Sequence, residues 1–103
     1  MIPKTREKTN HEKVLYFYES TAKKYDSEYG KQTVWEIPYK IFLNLLSKRL
    51  KKGMRLLDCG GGTGKWAIPL AKKGLDVTLT DISRNMINIT KTKAKKEGIA
   101  MKF

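Results

Sequence analysis

Apolar residues recur at two different periods along the chain, and the change of period marks its organisation. Val14, Tyr18, Ala22 and Tyr25 return at helical spacing with Leu15 beside them, while Lys13, Glu19, Lys23 and Lys24 fall on other faces. The pattern predicts a helix over residues 10–26. Thr9 and Glu12 have capping-box spacing at its start, and Gly30 supplies a stop. Residues 1–8 before it read as a polar, frayed start. A second helix carries Ile41, Phe42, Leu45, Leu46 and Leu50 as a wide apolar stripe, which demands a large partner such as a sheet face. Pro38 has no amide proton and suits only a first turn, so this helix is expected to begin near Glu36 or Ile37. Lys48, Arg49, Lys51 and Lys52 then complement its C-terminal dipole before Gly53 ends it.

From residue 54 the period changes. Short apolar runs over 54–58 and 75–80 each end at an acid, Asp58 and Asp81, and read as strands. Between them a helix is expected over 63–73, with Pro69 near its first turn and Gly74 past its end. Ser83 is a good N-cap for a further helix carrying Met86, Ile87, Thr90 and Ala94, stopped by Gly98. Met101-Lys102-Phe103 opens a third strand. Two helices, then β-α-β-α and the start of a strand predict an α/β fold with a parallel sheet and right-handed crossovers. Two strands and a stub cannot cover both faces of such a sheet. The far side of the second strand is therefore expected to be an exposed edge, through which copies could self-associate.

Composition narrows the partners only slightly. The 103 residues suit one domain, and 22 Lys+Arg against 10 Asp+Glu give a formal charge of +12. The excess is even along the chain and forms no basic tail, so a solvated surface is the plain reading and a polyanion partner the sharper one. Cys59 is the only cysteine, so no intrachain disulfide can form, which suits a reducing compartment. It is read as a small buried residue with no histidine near it in sequence. No signal-like or membrane-length apolar run is present, and the default location is the cytoplasm. His11 stands alone near a helix start and reads as a surface residue.

The candidate chemistry lies where the first strand breaks into glycines: Asp58, then Gly60, Gly61, Gly62 and Gly64. A turn of this kind lets a ligand approach the backbone closely. Three ligand turns share its look. A phosphate loop needs a glycine where Cys59 stands, and Ser or Thr where Trp66 stands. The dinucleotide fingerprint needs its third glycine at Lys65, one residue later than Gly64. The pattern D-x-G-x-G-x-G is met in full by Asp58, Gly60, Gly62 and Gly64.

On these residues the chain resembles the N-terminal portion of class I S-adenosylmethionine-dependent methyltransferases, the Rossmann-like family. It is most similar to the small-molecule type that includes ubiquinone/menaquinone-biosynthesis C-methyltransferases. Leu57 to Gly64 is similar to the family's first motif, and Asp81-Ile82-Ser83 with Met86 to its acidic second-strand motif. Phe17-Tyr18, Ala22 and Tyr25-Asp26 look like its N-terminal helix. The resemblance implies a helical cap region over 1–53 and the first half of a cofactor-binding domain over 54–103, with the rest of that domain absent. It implies S-adenosylmethionine as cofactor and S-adenosylhomocysteine as product.

By the same resemblance Asp58 faces the methionine ammonium, often through water. Gly60, Gly61, Gly62 and Gly64 pass under the methionine and ribose, and Asp81 accepts from the ribose hydroxyls. Ile82 and Met86 line the adenine, while Tyr25 and Tyr16 close the methionine end. The plain alternatives stay open: Asp81 as a residue before a turn, Met86 as core, and Trp66 as packing at a helix start. Methyl transfer from a sulfonium needs mainly in-line positioning, worth up to ~7–11 kcal/mol. No catalytic base stands out, no metal set is visible, and the acceptor-binding strands are not in the sequence. The expected function is methyl transfer to a small molecule in preference to nucleic acid. An RNA methyltransferase and a non-enzymatic cofactor-binding fragment are the alternatives, and the 103 residues alone are expected to bind weakly and not to turn over.

Overall fold

A computed structural model describes residues 6–29 and 33–103. The stop expected at Gly30 and part of the expected frayed start lie outside them. The elements are α1 (Asn10–Tyr29), α2 (Thr33–Arg49), β1 (Arg55–Cys59), α3 (Ala67–Lys72), β2 (Asp76–Thr80) and α4 (Arg84–Lys96). Helix α1 opens as its capping box dictates: Glu12 N–H donates to Thr9 Oγ1 at 3.2 Å and Thr9 N–H to Glu12 Oε2 at 2.8 Å. Helix α2 begins earlier than expected and contains Pro38. The ring's fixed φ matches a helix, so near the N-terminal end the proline forfeits one amide bond without ending the helix.

The two strands are parallel and pair Leu56 with Val77 and Asp58 with Leu79 on one face. Behind that face lies the core: Ala67, Leu70, Leu75, Val77 and Leu79, with Leu43, Leu50, Leu56 and Ile87 packed against it. Helix α3 starts at Ala67, not at the expected residue 63. Gly64 has φ of +80°, which interrupts right-handed helix, and the first i−4 amide bond after it runs from Ile68 N–H to Gly64 C=O at 2.9 Å. Helix α4 follows its cap, with Met86 N–H donating to Ser83 Oγ at 3.2 Å. Helices α3 and α4 touch, α3 covers β2, and α1 lies along α4.

Three further expectations are corrected. The far side of β2 is not an open edge, because Thr78 bridges Lys102 in parallel; the unpaired edge among the described residues is β1. Cys59 is exposed, because it points to the face opposite the core. Helix α2 does not bury its stripe on a sheet. It is held by Leu43, Leu50 and a Tyr39 hydroxyl that donates to the Lys65 carbonyl at 2.6 Å, while Ile37, Ile41, Phe42, Leu45 and Leu46 stay exposed. The Cα radius of gyration is accordingly 16.4 Å, against about 13 Å for a closed domain of 100 residues. His11 is exposed, as read from the sequence. Among the described residues no helix is long and apolar enough to cross a membrane.

Candidate functional site

The glycine turn leaves the C-terminal end of β1 and is bound to the neighbouring strand. The Thr80 carbonyl accepts from Gly60 N–H at 2.8 Å and from Gly61 N–H at 3.0 Å. Thr90, fully buried on α4, donates its hydroxyl to the Gly62 carbonyl at 2.7 Å. Only glycine fits at residue 61. A Cβ there would lie 2.5 Å from Leu79 Cδ1 and 2.8 Å from Asp58 Oδ2, closer than real Cβ contacts come. The close approach seats the turn directly on the core.

Two carboxylates face this turn with different partners. Asp81 Oδ2 accepts from Gly62 N–H at 2.9 Å and Oδ1 from Ser83 N–H at 2.8 Å, so Asp81 braces the turn against the start of α4. Each of its oxygens keeps a further lone pair for a ligand hydroxyl. Asp58 Oδ2 is buried and accepts no hydrogen bond from the described residues. Burial, and then the charge of Asp81, push the Asp58 carboxyl above its ordinary range. A buried carboxylate oxygen without a donor is costly, so this atom marks a place where a donor is wanted.

Beside the turn opens a cleft of about 470 Å³ lined by Tyr18, Tyr25, Gly60, Gly62, Thr80, Asp81, Ile82 and Met86. Of the residues singled out from the sequence, Tyr25, Gly60, Gly62, Asp81, Ile82 and Met86 meet there. Met86 is 1% exposed and forms both wall and core. Asp58, Gly61 and Gly64 support the turn from behind: a Cβ on Gly64 would strike Thr90 and Ile68.

Tyr16 does not line the cleft. It is an exposed side chain with the Lys8 ammonium over its ring. Nine residues from Tyr25 is two and a half turns of helix, the opposite face. Tyr18 lines the cleft instead. Its seven-residue spacing to Tyr25 was the available signal, since seven residues make nearly two turns. Thr80 carried no such signal. Trp66 packs its ring on Tyr39, with centroids 4.7 Å apart, and takes no part in the cleft.

Comparison with known proteins shows the family and the fold. Residues 37–101 match the family described as methyltransferase domain. The chain is 33% identical over 98 residues to a ubiquinone/menaquinone biosynthesis C-methyltransferase of Neisseria meningitidis, covering 86% of this chain and 38% of that protein. A SAM-dependent methyltransferase from Thiobacillus denitrificans, solved in complex with S-adenosyl-L-homocysteine, is 33% identical. It matches with a TM-score of 0.54 over 59% of this chain and 27% of its own. Magnesium protoporphyrin IX methyltransferase from Synechocystis PCC 6803, solved with bound SAM, aligns over 90% of this chain and 50% of its own. Its TM-score is 0.72 at 23% identity, a likeness of fold. The chain spans 35–38% of the length of the curated relatives it matches over most of its own length.

Proposed function

We propose, because this chain belongs to the methyltransferase-domain family of Rossmann-like, S-adenosylmethionine-dependent proteins, that its cleft binds S-adenosylmethionine for methyl transfer to a small-molecule acceptor. The observation that carries the reading is the glycine turn braced by Asp81, which lines the cleft with lone pairs to spare, above the half-buried Asp58. The residues present fit the cofactor. Asp58, half-buried beneath the turn, offers its negative charge to an ammonium, and ribose hydroxyls find the remaining lone pairs of Asp81. Met86 and Ile82 offer an apolar wall to a purine, and Tyr18 and Tyr25 from α1 border the same cleft. When bound, the cofactor supplies an electrophilic methyl group on a sulfonium. The chain's own part is to orient and desolvate: the turn is fixed to β2 through the Thr80 carbonyl and to α4 through Thr90, so little reorganises on binding. In this reading residues 1–53 form a helical cap and 54–103 the cofactor-binding part.

Titration calorimetry with S-adenosylhomocysteine tests the proposal. Saturable one-to-one binding, weakened at least about tenfold by Asp81→Ala through loss of charge-assisted hydrogen bonds, is the expected result. Absence of binding, or binding indifferent to that change, would refute the assignment.

The net charge of +12 favours a second reading, methylation of RNA. It predicts acceptor binding that falls steeply with salt, and a salt-independent acceptor KM would remove it. The lone Cys59 suits a reducing, cytoplasmic setting. The β1 edge, unpaired among the described residues, makes self-association testable by sedimentation, with a monomer at high concentration counting against it.

A further inference from the structure

One polar cluster lies outside the cleft yet joins three elements that form it. Asp26 is on α1, Thr63 in the glycine turn and Lys93 on α4. Thr63 Oγ1 donates to Asp26 Oδ1 at 2.5 Å. The Lys93 ammonium donates to Asp26 Oδ2 and, at 3.0 Å, to the Thr63 carbonyl. The three groups close a triangle, and each corner adjoins a part of the site. Asp26 follows Tyr25, and Thr63 follows Gly62, which line the cleft. Lys93 lies on α4 beyond Met86 and Thr90, which form the cleft wall and tie down the turn.

A second tie lies farther toward the N-terminus of both helices. Asn85 Nδ2 donates to the Glu19 carbonyl at 3.1 Å, and Asn85 N–H reaches Glu19 Oε1 at 3.4 Å. The contacts step from Glu19 to Asp26 on α1 and from Asn85 to Lys93 on α4, so the two helices run in the same direction. Helix α1 is therefore tied to α4 at Glu19 and at Asp26, and the Asp26 tie also grips the turn.

We propose that Asp26 and Lys93 are positioning residues that clamp α1 to the glycine turn, so that an ion pair outside the cleft sets how tightly the cofactor is held. The inference rests on the proposed S-adenosylmethionine site. An isolated surface ion pair contributes little. This one differs because its carboxylate also accepts from Thr63, which is 2% exposed, and its ammonium also donates to the turn's own backbone. Loss of either partner leaves a polar group of the turn unpaired. Without the clamp, α1 keeps the Asn85 tie but can lift Tyr25 from the cleft.

The test combines hydrogen exchange on the ligand-free chain with S-adenosylhomocysteine calorimetry. The variants are Asp26→Asn, Lys93→Met, Lys93→Arg, the Asp26→Asn/Lys93→Met double, and Lys72→Met, which breaks the exposed Lys72–Glu97 pair as a control. In Asp26→Asn and Lys93→Met, amides of α1 around Ala22–Asp26 should exchange about tenfold faster while β2 stays protected, as expected for local opening. Ligand affinity should fall by a similar factor, Lys93→Arg should restore both, and the double should be no worse than the poorer single. Should Asp26→Asn expose β2 as well, Lys93→Gln carries the same test. Unchanged α1 exchange in Lys93→Met, or equal losses in Lys93→Met and Lys72→Met, would overturn the clamp. If the unsubstituted chain fails to bind the ligand, the site reading fails while the exchange data still decide whether the clamp exists.

Discussion

The two faces of the parallel sheet differ sharply within one chain. On one face Leu56, Val77 and Leu79 meet α3, and Val77 and Leu79 are completely buried. On the other face Arg55, Leu57 and Cys59 pair with Asp76, Thr78 and Thr80, and Leu57 is 61% exposed. The same strands, in the same register, are thus half core and half surface. Parallel sheets are ordinarily covered on both faces. The glycine turn takes its support from the covered face, through Leu79 under Gly61 and Thr90 under Gly62. The contacts that shape the cleft are therefore made from the covered face, while Leu57 on the open face and the exposed apolar stripe of α2 do not line it.

The contrast can be broken most directly by paired truncations. Leu79→Ala should lower unfolding free energy by about 2–5 kcal/mol, the usual cost of a fully buried leucine. Leu57→Ala should change it by no more than about 0.5 kcal/mol, as at other exposed positions. Denaturant midpoints measure both, and similar losses would mean that the open face is covered in solution. Gly61→Ala is the next largest, about 1–3 kcal/mol from overpacking against Leu79. A neutral Gly61→Ala would show that the turn does not rest on the core.

The smallest effect is a pH dependence. Asp58 is raised above its ordinary value by burial and then by Asp81. A carboxyl raised in the fold contributes stability that is present below its unfolded value and is lost as pH rises through its folded value. The thermal midpoint of the chain should therefore fall relative to that of Asp58→Asn across this window. A ligand bearing an ammonium should bind more tightly over the same rise, because the ionised carboxylate adds negative charge beneath the turn. Parallel pH curves for the two proteins would remove Asp58 from that role.

What the sequence made legible was local. The capping box at Thr9 and Glu12, the cap at Ser83 and the acids ending each strand depend on spacings of a few residues. So do the residues of the turn, although α3 starts later than its spacing predicts because the positive φ of Gly64 belongs to the folded turn. Which strand face is covered is a tertiary fact, so Cys59 was misassigned although its alternation with Asp58 was plain. Tyr18 and not Tyr16 lines the cleft with Tyr25, because seven residues return to nearly the same helix face and nine do not. The Asp26–Lys93 pair spans 67 residues, and no local spacing announces it.

The central claim is that the cleft over the glycine turn, and not the open face, holds the cofactor. Backbone amide shifts recorded while S-adenosylhomocysteine is titrated into the chain test it most directly. The account predicts shifts concentrated at Gly60–Gly64 and Asp81–Ser83, with smaller ones at Tyr18 and Tyr25, and none at Leu57 or along Ile41–Leu46. Shifts centred on Leu57 and α2, with the glycine turn unmoved, would contradict it.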